Sequence, residues 1–131
     1  MANKQKLTPS IEDYLETIYL LDKEKKGVRS IDVALQLMVS KPSVNKAVNN
    51  LIEAKLVKQE KYAPIFLTEQ GEKKAKEILN RHVTIKEFLI NVLKVSDDTA
   101  EQEACLIEHS MSNETVAKMR TFLDKQKNTT K

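Results

Sequence analysis

Ile11, Tyr14, Leu15, Ile18 and Leu21 recur at intervals of three and four residues, which predicts an amphipathic helix over residues 9–24. Thr8 before Pro9 supplies its start, a hydroxyl cap followed by a proline in the first helical position. The run Lys-Glu-Lys-Lys-Gly ends it. A second helix is expected from a Ser30 cap, with Ile31, Ala34, Leu35 and Met38 inward. Val39-Ser40 then makes a short turn. Ser40 caps a third helix, where Pro42 is tolerated in the first turn and Val44, Ala47, Val48 and Leu51 form the inward face. Two short helices joined by a tight turn make a helix-turn-helix candidate.

The period then changes. Residues 56–60 and 65–68 are β-prone runs around the turn-like tip Lys61-Tyr62-Ala63-Pro64, which reads as a hairpin. A hairpin directly after a helix-turn-helix is the wing of a winged helix. Helical spacing returns after Thr68, which should cap a helix to about residue 80, with a continuation or kink near His82. Ile85, Phe88, Leu89 and Val92 give the next apolar stripe. Asp98-x-x-Glu101 has the form of a capping box, opening a helix with Ala100, Ala104, Ile107 and Met111 inward. Ser112 should cap a last helix with Val116, Met119 and Phe122 on one side. The fold expected is mainly α with a small β-hairpin wing.

Composition sharpens this picture. Only Gly27 and Gly71 occur among 131 residues, and with 5% aromatics and no Trp the core must be aliphatic. No apolar run approaches the roughly 20 residues that span a bilayer. The start, Met-Ala-Asn-Lys-Gln-Lys, has no apolar leader region, and a single Cys, Cys105, forms no internal disulfide. A cytoplasmic protein is expected. The net charge is +3, and residues 1–75 carry it, with 13 Lys/Arg against 10 Asp/Glu. Residues 76–131 have 9 of each. The excess positive charge therefore lies where a phosphate-facing surface would be.

The outward face of the third helix carries Ser43, Asn45, Lys46, Asn49 and Asn50. Asn can read adenine bidentately in the major groove and Lys can reach guanine or phosphate. Three Asn residues cost helix propensity, so a plain solvated face would more often use Glu and Lys. The expected DNA-contact set is Ser40, Lys41, Pro42, Ser43, Asn45, Lys46, Asn49 and Lys61. Of these Lys41 and Lys61, together with Lys58, would hold phosphates and fix position rather than sequence.

Ligand-type residues are also patterned. Asp13 and Glu16 share a face of the first helix. Glu101, Cys105 and Glu108 stand at i, i+4 and i+7, with His109 next, and His82 lies near the helix junction. Both His residues and the only Cys fall in this set, a donor mixture suited to Mn, Fe, Co, Ni or Zn. Each residue has an ordinary alternative: Cys105 as a small hydrophobe, His82 as a junction residue, Asp13 and Glu16 as helix-dipole partners, and Glu101 as a cap.

The strings EDYLETIYLL (12–21), SKPSVNKAVNNL (40–51), LTEQGEK (67–73), RH (81–82) and EACLIEH (103–109) resemble the diphtheria toxin repressor and manganese transport regulator family of metal-dependent repressors. The resemblance runs from about residue 8 to 122. It implies a winged helix-turn-helix DNA-binding domain over 1–75, a helical metal-binding and dimerisation domain over 76–125, and a disordered tail over 126–131. It also implies Asp13, Glu16, His82, Cys105, Glu108 and His109 as metal ligands, a homodimer, a double-stranded DNA operator, and repression of metal-uptake genes.

Departures bear on the metal. Asp13 matches manganese-type members, whereas Cys105 matches iron-type members, so Mn or Fe is expected, with Zn, Co and Ni as alternatives. Lys86 and Glu101 replace an acidic residue and a His of the toxin-repressor type, which argues against a second site of that type but leaves open a two-metal cluster sharing Glu108. The wing tip has Ala63-Pro64 where glycine is expected. The SH3-like domain of longer members has no counterpart, so a short form is expected.

Ligands divided between the two halves imply a switch: metal would select the dimer whose recognition helices are spaced about 34 Å apart. The dimer seam is expected to use Phe88, Leu89, Val92, Leu93 and Ile107. The alternatives are a winged-helix regulator that does not respond to metal, a small metalloenzyme, and a metal buffer. An enzyme is not expected, because no phosphate loop, HExxH or nucleophile elbow occurs. Neither a membrane nor an organic small-molecule substrate is expected as a partner.

Overall fold

The computed structural model describes residues 9–129. In chain order the elements are α1 (Pro9–Glu24), α2 (Ser30–Leu37), α3 (Lys41–Glu53), β1 (Val57–Lys58), β2 (Phe66–Leu67), α4 (Glu69–Asn91), α5 (Asp97–Ile107) and α6 (Asn113–Thr129). The chain divides into two compact units, one up to Glu77 and one from Ile78 onward. Among the described residues no helix is long and apolar enough to cross a membrane.

In the first unit, α1, α2 and α3 pack on one another. The first helix has the bounds expected of it, while Thr8, its expected cap, lies outside the described residues. Leu15 and Ile18 of α1 and Val44, Val48 and Leu51 of α3 are at most 2% exposed. Full burial of one such aliphatic side chain stabilises by about 1.5–3 kcal/mol. Ser40 caps α3 as expected, accepting the Ser43 N–H at 3.2 Å.

Helix α2 differs from its expected form in its cap and in its buried face. Ser30 is its first residue rather than its cap. The cap is Arg29, whose backbone N–H donates to the Asp32 carboxylate at 3.1 Å. The inward face is Val33 and Ala34, whereas Ile31, Leu35 and Met38 are exposed. An eight-residue helix has only two turns, so its apolar residues do not by themselves fix which stripe faces the core. Met38 ends α2 in the left-handed region, at φ 58° and ψ 48°.

The wing is shorter than its β-prone runs. Antiparallel pairing joins Val57 to Leu67 and Lys58 to Phe66. Ile65 pairs instead with Val28, through Ile65 N–H to Val28 O at 2.7 Å and Val28 N–H to Ile65 O at 3.3 Å. Val28 thereby ties the wing to the segment after α1. Thr68 closes the wing and starts α4: its hydroxyl donates to Lys55 O at 2.8 Å and accepts the Gly71 N–H at 3.0 Å. Gly71 is required by space, since a Cβ there would lie 1.8 Å from Leu56 O.

The helix expected to about residue 80 continues unbroken to Asn91. In the second unit Ile85 and Leu89 of α4, Ala100 and Ala104 of α5, and Val116 of α6 form the core. Leu123, not singled out in the pattern, is also buried, while Phe122 is half exposed and stacks on Phe88 at 5.9 Å. Ser96, rather than Asp98, caps α5, accepting the Thr99 N–H at 3.3 Å, so Glu101 is not part of a capping box. Ser112 caps α6 as expected. That helix runs to Thr129, into the segment expected to be a tail, whose last two residues lie outside those described.

Candidate functional site

Two groups of side chains carry chemistry, one in each unit. In the first unit, Asn45, Lys46 and Asn49 stand exposed on α3, because Val44, Ala47, Val48 and Leu51 take the opposite face into the core. Lys41, Pro42 and Ser43 occupy its exposed first turn. The Ser40 hydroxyl is engaged locally, donating to Ser43 Oγ at 2.9 Å while it caps the helix. An open cleft of about 670 Å³ lies between α3 and the wing, lined in part by Arg29, Lys41, Asn45, Asn49, Lys61 and Tyr62.

Arg29 and Tyr62 were not singled out in the sequence. Arg29 precedes a short helix and carries no periodic signal. Tyr62 is 90% exposed and sits in the left-handed region at φ 63°, with the Lys61 ammonium 5.5 Å from its ring centre. A large aromatic so placed at a wing tip could have been marked by its neighbours, a Lys on one side and a turn on the other.

In the second unit, α4 and α5 bring ligand-type residues together. His82 Nδ1 lies 2.7 Å from Glu108 Oε1, and its Nε2 lies 3.1 Å from Glu101 Oε1. Cys105 Sγ is 3.9 Å from His82 Nδ1 and 3.7 Å from Glu101 Oε2. His109 Nε2 is 3.4 Å from the other oxygen of Glu108. Donor atoms of His82, Glu101 and Cys105 all lie within 4.8 Å of one another. Of the six sequence-predicted ligands, His82, Cys105, Glu108 and His109 therefore gather in this unit. Asp13, exposed, and Glu16, half-buried, stand on α1 in the first unit.

Burial and charge make this cluster unusual. Glu108 is 2% exposed, and His82 and His109 pair with its two oxygens. The Glu108 hydrogen bond, opposed by burial and assisted by Glu101, raises the His82 pKa from 6.5 to about 9. Lys86 contacts Glu101 at 3.0 Å and, with His82, lowers the Glu101 pKa. Of the two roles open to Glu101, ligand and cap, the cap falls away. With Ser96, two residues before Asp98, taking the cap, the Glu101 side chain turns instead to His82 and Lys86. Nitrogen, thiol sulfur and carboxylate oxygen at these separations form a donor set that fits a first-row divalent ion.

Two sequence patterns of one family cover the chain. Residues 6–64 match the N-terminal DNA-binding domain of iron-dependent repressors, and residues 68–130 match their metal-binding and dimerisation domain. The chain belongs to the iron-dependent repressor family. This member is 38% identical over 122 residues to a helix-turn-helix-type transcriptional regulator of Methanocaldococcus jannaschii, covering 92% of this chain and 98% of that one. It is 38% identical to the transcriptional regulator MntR of Escherichia coli O157:H7, covering 88% of this chain and 74% of MntR. The solved structure of the manganese regulator SloR superposes with a TM-score of 0.78 at 33% identity, covering 90% of this chain and 55% of that one. The chain thus spans about half the length of that structural relative. The family is one of metal-dependent transcriptional regulators, as the sequence motifs implied.

Proposed function

We propose that this chain is a transcriptional repressor that binds operator DNA as a homodimer when loaded with a divalent metal, Mn or Fe foremost, in the cytoplasm. The observation that carries the reading is the His82 ring, held between Glu108 on one nitrogen and Glu101 on the other, with the Cys105 sulfur against it. The Asn45, Lys46 and Asn49 face beside a basic wing supports the DNA half. So do the relatives, which are named as transcriptional regulators and include a manganese regulator.

His82, Cys105, Glu108 and His109 would hold the metal, with Asp13 and Glu16 completing the ligand set that the family resemblance implies. Glu101 is added as a candidate ligand. A bound divalent ion would supply positive charge and directional coordination that fix these ligands. Because the proposed ligands come from both domains, metal affinity and DNA affinity are linked reciprocally. A 100-fold gain in DNA affinity requires about 2.7 kcal/mol of coupling, within reach of a few coordination bonds.

The test is fluorescence anisotropy under anaerobic conditions with chelator-stripped protein and the promoter upstream of its own gene, titrating Mn(II), Fe(II) and Zn(II). A gain of at least tenfold with one metal is expected. Equal binding in the presence of chelator would leave a winged-helix regulator without a metal switch.

A further inference from the structure

Glu108 is the residue just past the end of α5, where the backbone leaves the helix. The last carbonyls of a helix have no intrahelical donor and need one from elsewhere. Here a single side chain provides it. Arg81 Nε donates to Glu108 O at 2.8 Å, Nη2 donates to Met111 O, and Nη1 donates to Asn113 Oδ1 at 2.5 Å. Three nitrogens of one guanidinium thus grip the whole connection between α5 and α6, which also carries His109.

Arg81 and His82 are consecutive on α4. Arg81 takes the main chain of Glu108, and His82 takes its carboxylate at 2.7 Å. Glu108 is therefore fixed at both ends from one helical turn. A Lys could donate from only one point, whereas the planar fork of Arg reaches all three acceptors at once.

We propose that Arg81 is a positioning residue for the metal centre, setting the backbone from which Glu108 and His109 project. The inference rests on the metal-centre reading above. Arg81 does not touch the donor atoms; it acts through the connection that bears them. Residues that orient metal ligands in this indirect way typically change metal affinity by about 10–100-fold.

The experiment compares the full-length unsubstituted chain with Arg81→Lys and Arg81→Gln, using Co(II) as the probe, titrated by visible absorption well below the melting temperature. Hydrogen exchange of the amides from 108 to 113 is read in the metal-free proteins. Arg120→Lys is the control, since Arg120 joins α6 to α4 through Glu87 at 3.1 Å and Thr84 at 3.4 Å, away from the ligands. Both Arg81 variants are expected to keep helical circular dichroism, exchange faster at 108–113 and bind Co(II) about 10–100-fold more weakly. Arg120→Lys should lower only the melting temperature. Unchanged Co(II) affinity in Arg81→Lys overturns the proposal, even if that variant melts earlier. Loss of Co(II) affinity in Arg120→Lys equal to that in Arg81→Lys overturns it as well. Absence of Co(II) binding in the unsubstituted chain overturns the metal-centre reading itself, and this proposal with it.

Discussion

His82 Nδ1 and Glu108 Oε1 are 2.7 Å apart although 26 residues separate them, and the carboxylate is 2% exposed. A buried carboxylate needs a charge or hydrogen-bond partner, and the His82 and His109 rings are partners of Glu108. A divalent ion held by His82, as proposed, would compete with the His82 proton.

Stability should therefore fall as pH rises. A histidine whose pKa is raised from 6.5 to about 9 adds stability that is fully present below 6.5 and lost as pH climbs through about 9. The loss is on the order of 2 kcal/mol once solvent screening of the exposed Glu101 is allowed for. Thermal melts of chelator-treated protein from pH 6 to 9.5 should show a declining Tm, and His82→Gln should flatten that slope. Metal affinity should move the opposite way, rising with pH over the same window, because ligand protonation competes with metal. An equally steep decline in His82→Gln would assign the effect elsewhere.

Glu108→Ala removes the acceptor shared by His82 and His109. Isothermal titration should show metal affinity reduced by at least about 100-fold, beyond the range for an indirect neighbour. Metal-dependent DNA binding should vanish with it. Cys105→Ser replaces a thiol by a harder oxygen donor, so Zn(II) and Fe(II) affinity should fall more than Mn(II) affinity. Uniform loss across the three metals would show that Cys105 does not select among them.

On the DNA side, the two kinds of contact should separate. Asn49→Ala on the exposed face of α3 should cost about 1–3 kcal/mol on the preferred operator and relax one base position. Lys61→Ala on the wing should weaken binding to all sequences and reduce the slope of log affinity against log salt by about 1. Anisotropy titrations at several salt concentrations, with operator and scrambled duplexes, measure both. Sequence-selective loss in Lys61→Ala would contradict its role as a phosphate contact.

Gly71→Ala tests the junction of wing and helix. The added Cβ would meet Leu56 O at 1.8 Å, and a backbone carbonyl held by the Thr68 N–H at 3.0 Å cannot step aside cheaply. Overpacking typically costs about 1–3 kcal/mol. Denaturant melts should place this variant at or above the top of that range, with DNA binding reduced in parallel. A midpoint like that of the unsubstituted chain would mean that α4 starts differently.

Much of this protein was legible from local pattern. The α1 bounds, the Ser40 cap, the inward face of α3 and the Ser112 cap all follow from spacing and capping chemistry, which act within a few residues. The Asn and Lys face of α3 follows from the same periodicity, since what is not inward is outward. The family followed from motifs in a fixed order. The face of α2, the cap of α5 and the partners of Glu101 did not follow, because short helices offer several near-equivalent stripes and caps.

What the sequence by itself determined were the elements, their order and the residue types able to hold a metal or read DNA. Only the tertiary structure decided that Ile65 pairs with Val28, that Glu101 turns to His82 and Lys86, and that Arg81 grips the connection bearing Glu108. These contacts join residues from 15 to 37 positions apart in the chain. Such partners are chosen by how helices pack and where burial leaves polar groups unsatisfied, and no periodicity along the chain encodes that choice.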